Sequence, residues 1–165
     1  MTTTTSAGAL GQSRVFDAKA VREIAASLAM IEGPLLPILH ALNGHFGYID
    51  RQAVPIVADV LNLSRAEVHG VVSFYHDFRG QPAGRHVVKV CRAEACQATG
   101  GRKLVADFET ALGVALGGTT PDGQVTLEAV YCLGNCALSP AVLVDGELYG
   151  RVDSARMQTM LAEVG

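Results

Sequence analysis

The sequence predicts a chain of the α/β class, with a bundle of helices ahead of a layered domain of strands and helices. Three observations carry that prediction. Apolar residues recur at helical spacing through residues 17–80, whereas from residue 85 short β-branched runs alternate with amphipathic helix. Between the two stretches, Gly80-Gln81-Pro82 interrupts the pattern with strongly punctuating residue types. At 165 residues the chain can hold one sizeable core, or a domain with a smaller helical attachment.

The helical stretch opens at Asp17, an N-cap residue type, followed by Val21, Ile24, Leu28 and Ile31 at helical spacing. Gly33-Pro34 opens a second helix, because proline is tolerated at a first helical position, where no donor is missed. Leu35, Ile38, Leu39 and Leu42 form its apolar face, and Asn43-Gly44 is expected to close it. A third helix is expected from about Asp50 to Leu61, with Pro55 in its first turn or at a kink. The fourth start is the best specified. Ser64-Arg65-Ala66-Glu67 reads as a capping box, with Leu63 and Val68 placed to staple it, and the helix runs through Phe74-Tyr75.

In the second half the period changes. His86–Val90 is a short β-branched strand, and Gly100-Gly101 precedes a helix carrying Leu104, Val105, Phe108 and Leu112. A turn-rich loop at Gly117–Gly123 leads into a second strand at Val125–Val130, and a third follows at Ala141–Val144. Asp145-Gly146 is a hairpin turn signal into Leu148–Val152, after which Asp153 or Ser154 caps a last helix. The order β-α-β-β-β-α with a terminal hairpin matches a compact thioredoxin-like layer. The expected organisation is a disordered polar tail over 1–16, a helical region over 17–80 and a thioredoxin-like domain over 85–165. Ser139-Pro140 stands where thioredoxin-like folds can carry a cis proline. The base rate for such bonds is only about 5%, so a trans bond is the expectation.

Several function classes drop out early. A net charge of −3 without Lys/Arg clusters argues against nucleic acid as a partner. No apolar run approaches the roughly 20 residues that span a bilayer. The start MTTTTSAGAL has no basic segment followed by an apolar stretch, so the expected compartment is the cytoplasm, where thiols stay reduced. No GxGxxG or Walker-type run argues for a nucleotide site, and no nucleophile or acid–base pair argues for catalytic residues. His40, His45, His69, His76 and His86 all lie outside the cysteine segments and read as surface or satisfied core histidines.

What remains is the cysteines. Cys91 and Cys96 form a C-x4-C pair ending the first strand, and Cys132 and Cys136 a C-x3-C pair ending the second. If those strands are neighbours, both pairs reach one edge of the sheet, where α/β folds place their chemistry. Neither pair has the two-residue spacing of a redox dithiol. Disulfides are disfavoured by compartment, and four unligated core thiols have no reason to pair up at strand ends. A structural zinc site has the right ligand count, but Cys91 and Cys96 sit just outside knuckle spacing. A [2Fe–2S] cluster on four thiolates fits best, with Gly134 and Gly100-Gly101 letting the backbone fold closely around it. The oxidised cluster with its thiolates is a dianion, and Arg92, Arg102 and Lys103 are the nearby cations in sequence. A zinc-stabilised interaction module is the rival from another class.

The runs VCRAEACQATGG and AVYCLGNCALSPAVLVDGELYGR, with LSRAEVHGVVSFYHDF ahead of them, resemble the thioredoxin-like [2Fe–2S] subunits of the respiratory NADH dehydrogenase family. The likeness runs over about residues 20–160, and within it CRAEAC and CLGNCALSP are most similar to the gamma subunit of soluble molybdenum-containing NAD-dependent formate dehydrogenases. The resemblance implies cluster ligation by Cys91, Cys96, Cys132 and Cys136 and a non-catalytic electron-transfer role. It further implies a flavin- and NAD-binding partner subunit with FMN, and a molybdenum-cofactor subunit with further iron–sulfur clusters. Equivalent subunits of NAD-reducing hydrogenases and of complex I share the same frame.

Overall fold

The computed structural model describes residues 15–164, so the polar tail expected before Val15 lies almost wholly outside the described residues. The chain divides into two compact units, Met1–Pro82 and Ala83–Gly165.

The first unit is helical: α1 Ala18–Leu28, α2 Leu35–Phe46, α3 Ala53–Leu61 and α4 Arg65–Phe74. Asp17 caps α1 by accepting from the Lys19 amide. The capping box at α4 is complete, with Glu67 N donating to Ser64 Oγ at 3.2 Å and Ser64 N to Glu67 Oε2 at 2.8 Å. Pro55 sits in the first turn of α3, where its missing donor goes unnoticed. The predicted stop at Asn43-Gly44 is corrected: α2 continues to Phe46 and ends on Gly47 in the left-handed conformation. One glycine inside a helix costs only about 1 kcal/mol, less than Leu42 and Phe46 recover by burying in the same core. That core joins Val21, Ile38, Leu39, Val57 and Val68 from all four helices, and Phe16 packs partly buried against it.

The second unit is a four-stranded sheet in the order β2-β1-β3-β4, where β1 is His86–Cys91, β2 Val125–Val130, β3 Val142–Val144 and β4 Glu147–Tyr149. Strands β1 and β2 are parallel, with Cys91 opposite Val130, and β3 and β4 run antiparallel to their neighbours. Helices α5 Glu94–Ala98, α6 Gly101–Leu112 and α7 Ser154–Val164 complete the layers, in a mixed α/β fold of thioredoxin type. Val88, Val90, Leu127 and Val142 from the sheet pack with Leu104 and Phe108 of α6 and Met157 and Met160 of α7. The hairpin turn is as its sequence signals, with Asp145 at φ +50° and Gly146 at φ +91°. Asp145 also ties the hairpin to β1: its carboxylate contacts His86 Nδ1 at 2.6 Å and accepts the Val87 amide at 2.8 Å.

Three expectations for this unit are corrected. Short helix α5, which holds Cys96, interrupts what the sequence presents as loop, because five residues are too few to show a period. Strand β4 ends at Tyr149, because Arg151 takes φ +51° and turns the chain toward α7. The Ser139–Pro140 bond is cis, not trans. The general preference for trans is worth only about 0.5–1 kcal/mol, and backbone bonds from Arg151 N to Leu138 O and Val152 N to Pro140 O bracket this bond on its far side.

Candidate functional site

Because β1 and β2 are parallel neighbours, both cysteine pairs emerge at the same end of the sheet. Cys91 is the last residue of β1, and its amide donates to Ala141 O at 3.1 Å. Cys96 lies on α5, whose carbonyl end is pressed by Gly101: a Cβ there would stand 2.6 Å from Cys96 O. Only a glycine permits that approach. Cys91, Cys96 and Ala141 form a small buried cluster with Ala93, Val130 and Leu133 around it.

The second pair is built differently. Cys132 takes φ +85°, a left-handed conformation that is uncommon for a non-glycine residue. Gly134 follows at φ +77°, and its amide points back to Cys132 Sγ at 3.4 Å. A 3-10 turn over Cys136–Leu138 then carries Cys136 to within 3.6 Å of Cys132, sulfur to sulfur. Beneath this turn lies Gly150, where a Cβ would stand 2.7 Å from Leu138 Cβ and 2.8 Å from both Asn135 Nδ2 and Leu138 O. Thus Cys91 and Cys96 are buried, while Cys132 and Cys136 are exposed.

The four thiols are electrostatically one group. Burial alone would push the Cys91 thiol up, but the amides of Ala93, Cys132 and Leu133 and the Cys96 thiol hold it below its ordinary value. Cys96 is pushed up by burial and by the negative charge of Cys91 and Cys136. Cys136 is pushed up by its contact with Cys132 and by Cys132 and Cys91 charge. Four thiolates this close repel one another, and bound cationic metal relieves that repulsion.

The donor set fits a binuclear cluster. Two thiolates on one tetrahedral ion at about 2.3 Å stand roughly 3.7 Å apart, close to the 3.6 Å between Cys132 and Cys136. Among the described residues no group of three or more His, Cys, Asp or Glu side chains is arranged to hold a single ion. The thiols come as two pairs, and each iron of a [2Fe–2S] unit takes two thiolates beside its bridging sulfides.

The structure brings all four sequence-predicted cysteines to one sheet end. Two supports carry no clear sequence signal. Gly150 reads as a turn glycine, yet its role is close approach to the Cys136 turn, which a Y-G-R tripeptide does not announce. Gln97 braces the segment after Cys96, donating from Nε2 to Arg92 O at 2.7 Å and accepting from Arg102 Nε at 3.0 Å. Of the nearby cations, Lys103 is engaged by Asp107 at 2.7 Å.

A thioredoxin-type layer with two thiol pairs at one end of its sheet has the donor set of a small iron–sulfur protein. The profile of the thioredoxin-like [2Fe–2S] ferredoxin family matches residues 21–165, and the chain belongs to that family, whose cofactor is one [2Fe–2S] cluster. Among its relatives, the NADP-reducing hydrogenase subunit HndA of Solidesulfovibrio fructosivorans is 38% identical over 137 residues, 83% of this chain and 80% of that protein. A subunit of the NADH-quinone oxidoreductase of Pseudomonas aeruginosa is 39% identical over 106 residues, 64% of each. A crystal structure of an NAD+-reducing [NiFe]-hydrogenase in the air-oxidised state superposes with a TM-score of 0.66 at 25% identity, over 79% of this chain. The match takes up 22% of that hydrogenase chain. Among the described residues no helix is long and apolar enough to cross a membrane.

Proposed function

We propose that this chain is an electron-transfer subunit whose [2Fe–2S] cluster is held by Cys91, Cys96, Cys132 and Cys136. The observation that carries the reading is the convergence of both cysteine pairs at the end of parallel neighbours β1 and β2, with one pair at tetrahedral spacing. The cluster supplies one-electron storage. The chain's own residues orient the thiolates, shield Cys91 and Cys96 from water, and present the Gly134 amide to Cys132 Sγ. In this reading the bond-making chemistry belongs to cofactors on partner subunits.

The parent complex is a cytoplasmic NAD-dependent formate dehydrogenase, in which this chain exchanges electrons with a flavin- and NAD-binding subunit beside a molybdenum-containing one. The wording of CRAEAC and CLGNCALSP supports this assignment. A second reading, an NAD(P)-reducing hydrogenase, is favoured by the likeness to HndA and to the hydrogenase structure. Purification of the native complex decides between them. Formate-dependent reduction of NAD by a preparation containing this chain, flavin and molybdenum supports the first. Hydrogen-dependent reduction with nickel or iron and no molybdenum overturns it. One zinc and no labile sulfide on the purified chain would overturn the electron-transfer role itself.

A further inference from the structure

Two guanidinium groups stand at the cysteine end of the sheet, and among the described residues neither meets a carboxylate. Arg92 directly follows Cys91, and Arg102 follows Gly101, the residue pressed against the Cys96 carbonyl. Gln97 links the two residues, donating from Nε2 to the Arg92 main-chain carbonyl and accepting from the Arg102 side chain at Nε. Arg92, Gln97, Gly101, Arg102 and Val105 line a pocket of about 260 Å3, ample for an Asp or Glu side chain.

An electrostatic mismatch lies there. Helix α6 follows Gly100 with no side-chain cap and no acid in its first turn. Arg102 and Lys103 occupy that turn instead, cations at the positive end of the helix dipole. Asp107 balances Lys103, and no carboxylate among the described residues balances Arg102. A negative group in the pocket removes that mismatch.

The neighbouring surface indicates what carries that group. Arg92 N donates to Val130 O at 2.8 Å, so Tyr131 leaves the sheet at the same end, with 72% of its surface exposed. Tyrosine and arginine are the residue types that anchor protein interfaces. An exposed ring adds nothing to the capture of a free inorganic anion, whereas it gives a docking protein apolar area beside the charges.

We propose that Arg92 and Arg102, the latter held by Gln97, clamp a carboxylate of a partner protein that docks at the cysteine end of the sheet. The forked guanidinium donors suit bidentate capture of a carboxylate. This inference rests on the electron-transfer reading above and names the chemistry by which the partner is held.

The test uses the full chain and the flavoprotein that co-purifies with it. Binding is measured across a NaCl series for wild type, Arg92→Gln, Arg102→Gln and the double variant. Arg85→Gln removes the same charge just before the opposite end of β1 and serves as the control. The expected result is weakening by about tenfold or more for each clamp variant at low salt, and little change for Arg85→Gln. The gap between wild type and the double variant narrows as salt rises, because exposed charge pairs are screened. Equal weakening by Arg85→Gln means that bulk charge alone is responsible and overturns the clamp. So does a double variant that binds as wild type while inorganic phosphate shifts the Arg102 Nε resonance of the chain, which assigns the pocket to a small free anion. Failure of the parent reading shows differently, as a chain without visible cluster absorption or flavoprotein partner, and it overturns the clamp with it.

Discussion

The support under the second cysteine pair makes a sharp prediction at Gly150. Replacing it by alanine places a Cβ 2.7 Å from Leu138 Cβ and 2.8 Å from Leu138 O and Asn135 Nδ2. Ordinary carbon contacts are about 3.5–4.0 Å, so close to 1 Å must be absorbed. The obstacle is partly backbone: Leu138 O also accepts the Arg151 amide at 2.6 Å, and Asn135 O accepts the Leu138 amide at 3.0 Å. Moving Leu138 therefore loosens the 3-10 turn that carries Cys136. Overpacking of this kind costs about 1–3 kcal/mol, and one weakened hydrogen bond adds about 1 kcal/mol. For a unit of this size each kcal/mol lowers the melting midpoint by roughly 4–8 °C, so a fall on the order of 10 °C or more is expected. Gly113→Ala is the control in the same unit, away from the cysteines. Its Cβ meets nothing within 4 Å, and its φ of +67° leaves only a conformational cost of about 1–2 kcal/mol. The assay is thermal unfolding followed by circular dichroism, paired with visible absorption and electron paramagnetic resonance of the reduced cluster. Gly150→Ala should melt lower than Gly113→Ala and show an altered resonance. Wild-type stability and an unchanged resonance in Gly150→Ala would refute the close-approach argument.

Cys132→Ser should abolish or strongly reduce visible absorption and labile sulfide while far-ultraviolet circular dichroism persists, because the cores around Phe108 and Leu127 are complete without the cluster; retention of full labile sulfide removes Cys132 from the ligand set. At the other end of the chain, the Ser64 amide and hydroxyl hold the Glu67 carboxyl below its ordinary value. A depressed folded value means stability that is fully present above the unfolded value of 4.5 and is lost as pH falls through the folded one. Urea midpoints at pH 6 and pH 3, read from a signal of the helical unit, should therefore differ less in Glu67→Gln than in wild type, and an unchanged difference counts against the linkage.

What was legible in the sequence follows from the range of the interactions involved. The capping box of α4, the Asp145-Gly146 hairpin and the β-branched runs of β1 and β2 are local, and each carries its own residue signature. Cysteine spacing is local too, but the meeting of the pairs required β1 and β2 to be parallel neighbours, a long-range fact inferred from fold order. Three features escaped because their causes act across the chain. Gly44 carries the sign of a helix stop, yet burial of Phe46 in a core drawn from four helices draws α2 onward to Gly47. Helix α5 is a single turn, too short for a period, and is held by Gln97 bonding back to Arg92 O and by Gly101 lying against its end. Gly150 and Leu138 are 12 positions apart and touch only once the hairpin folds β4 back beside the 3-10 turn. The residue types that ligate a cluster therefore announce themselves, whereas the glycines that let the backbone close upon it are recognisable only from what their missing side chains would strike.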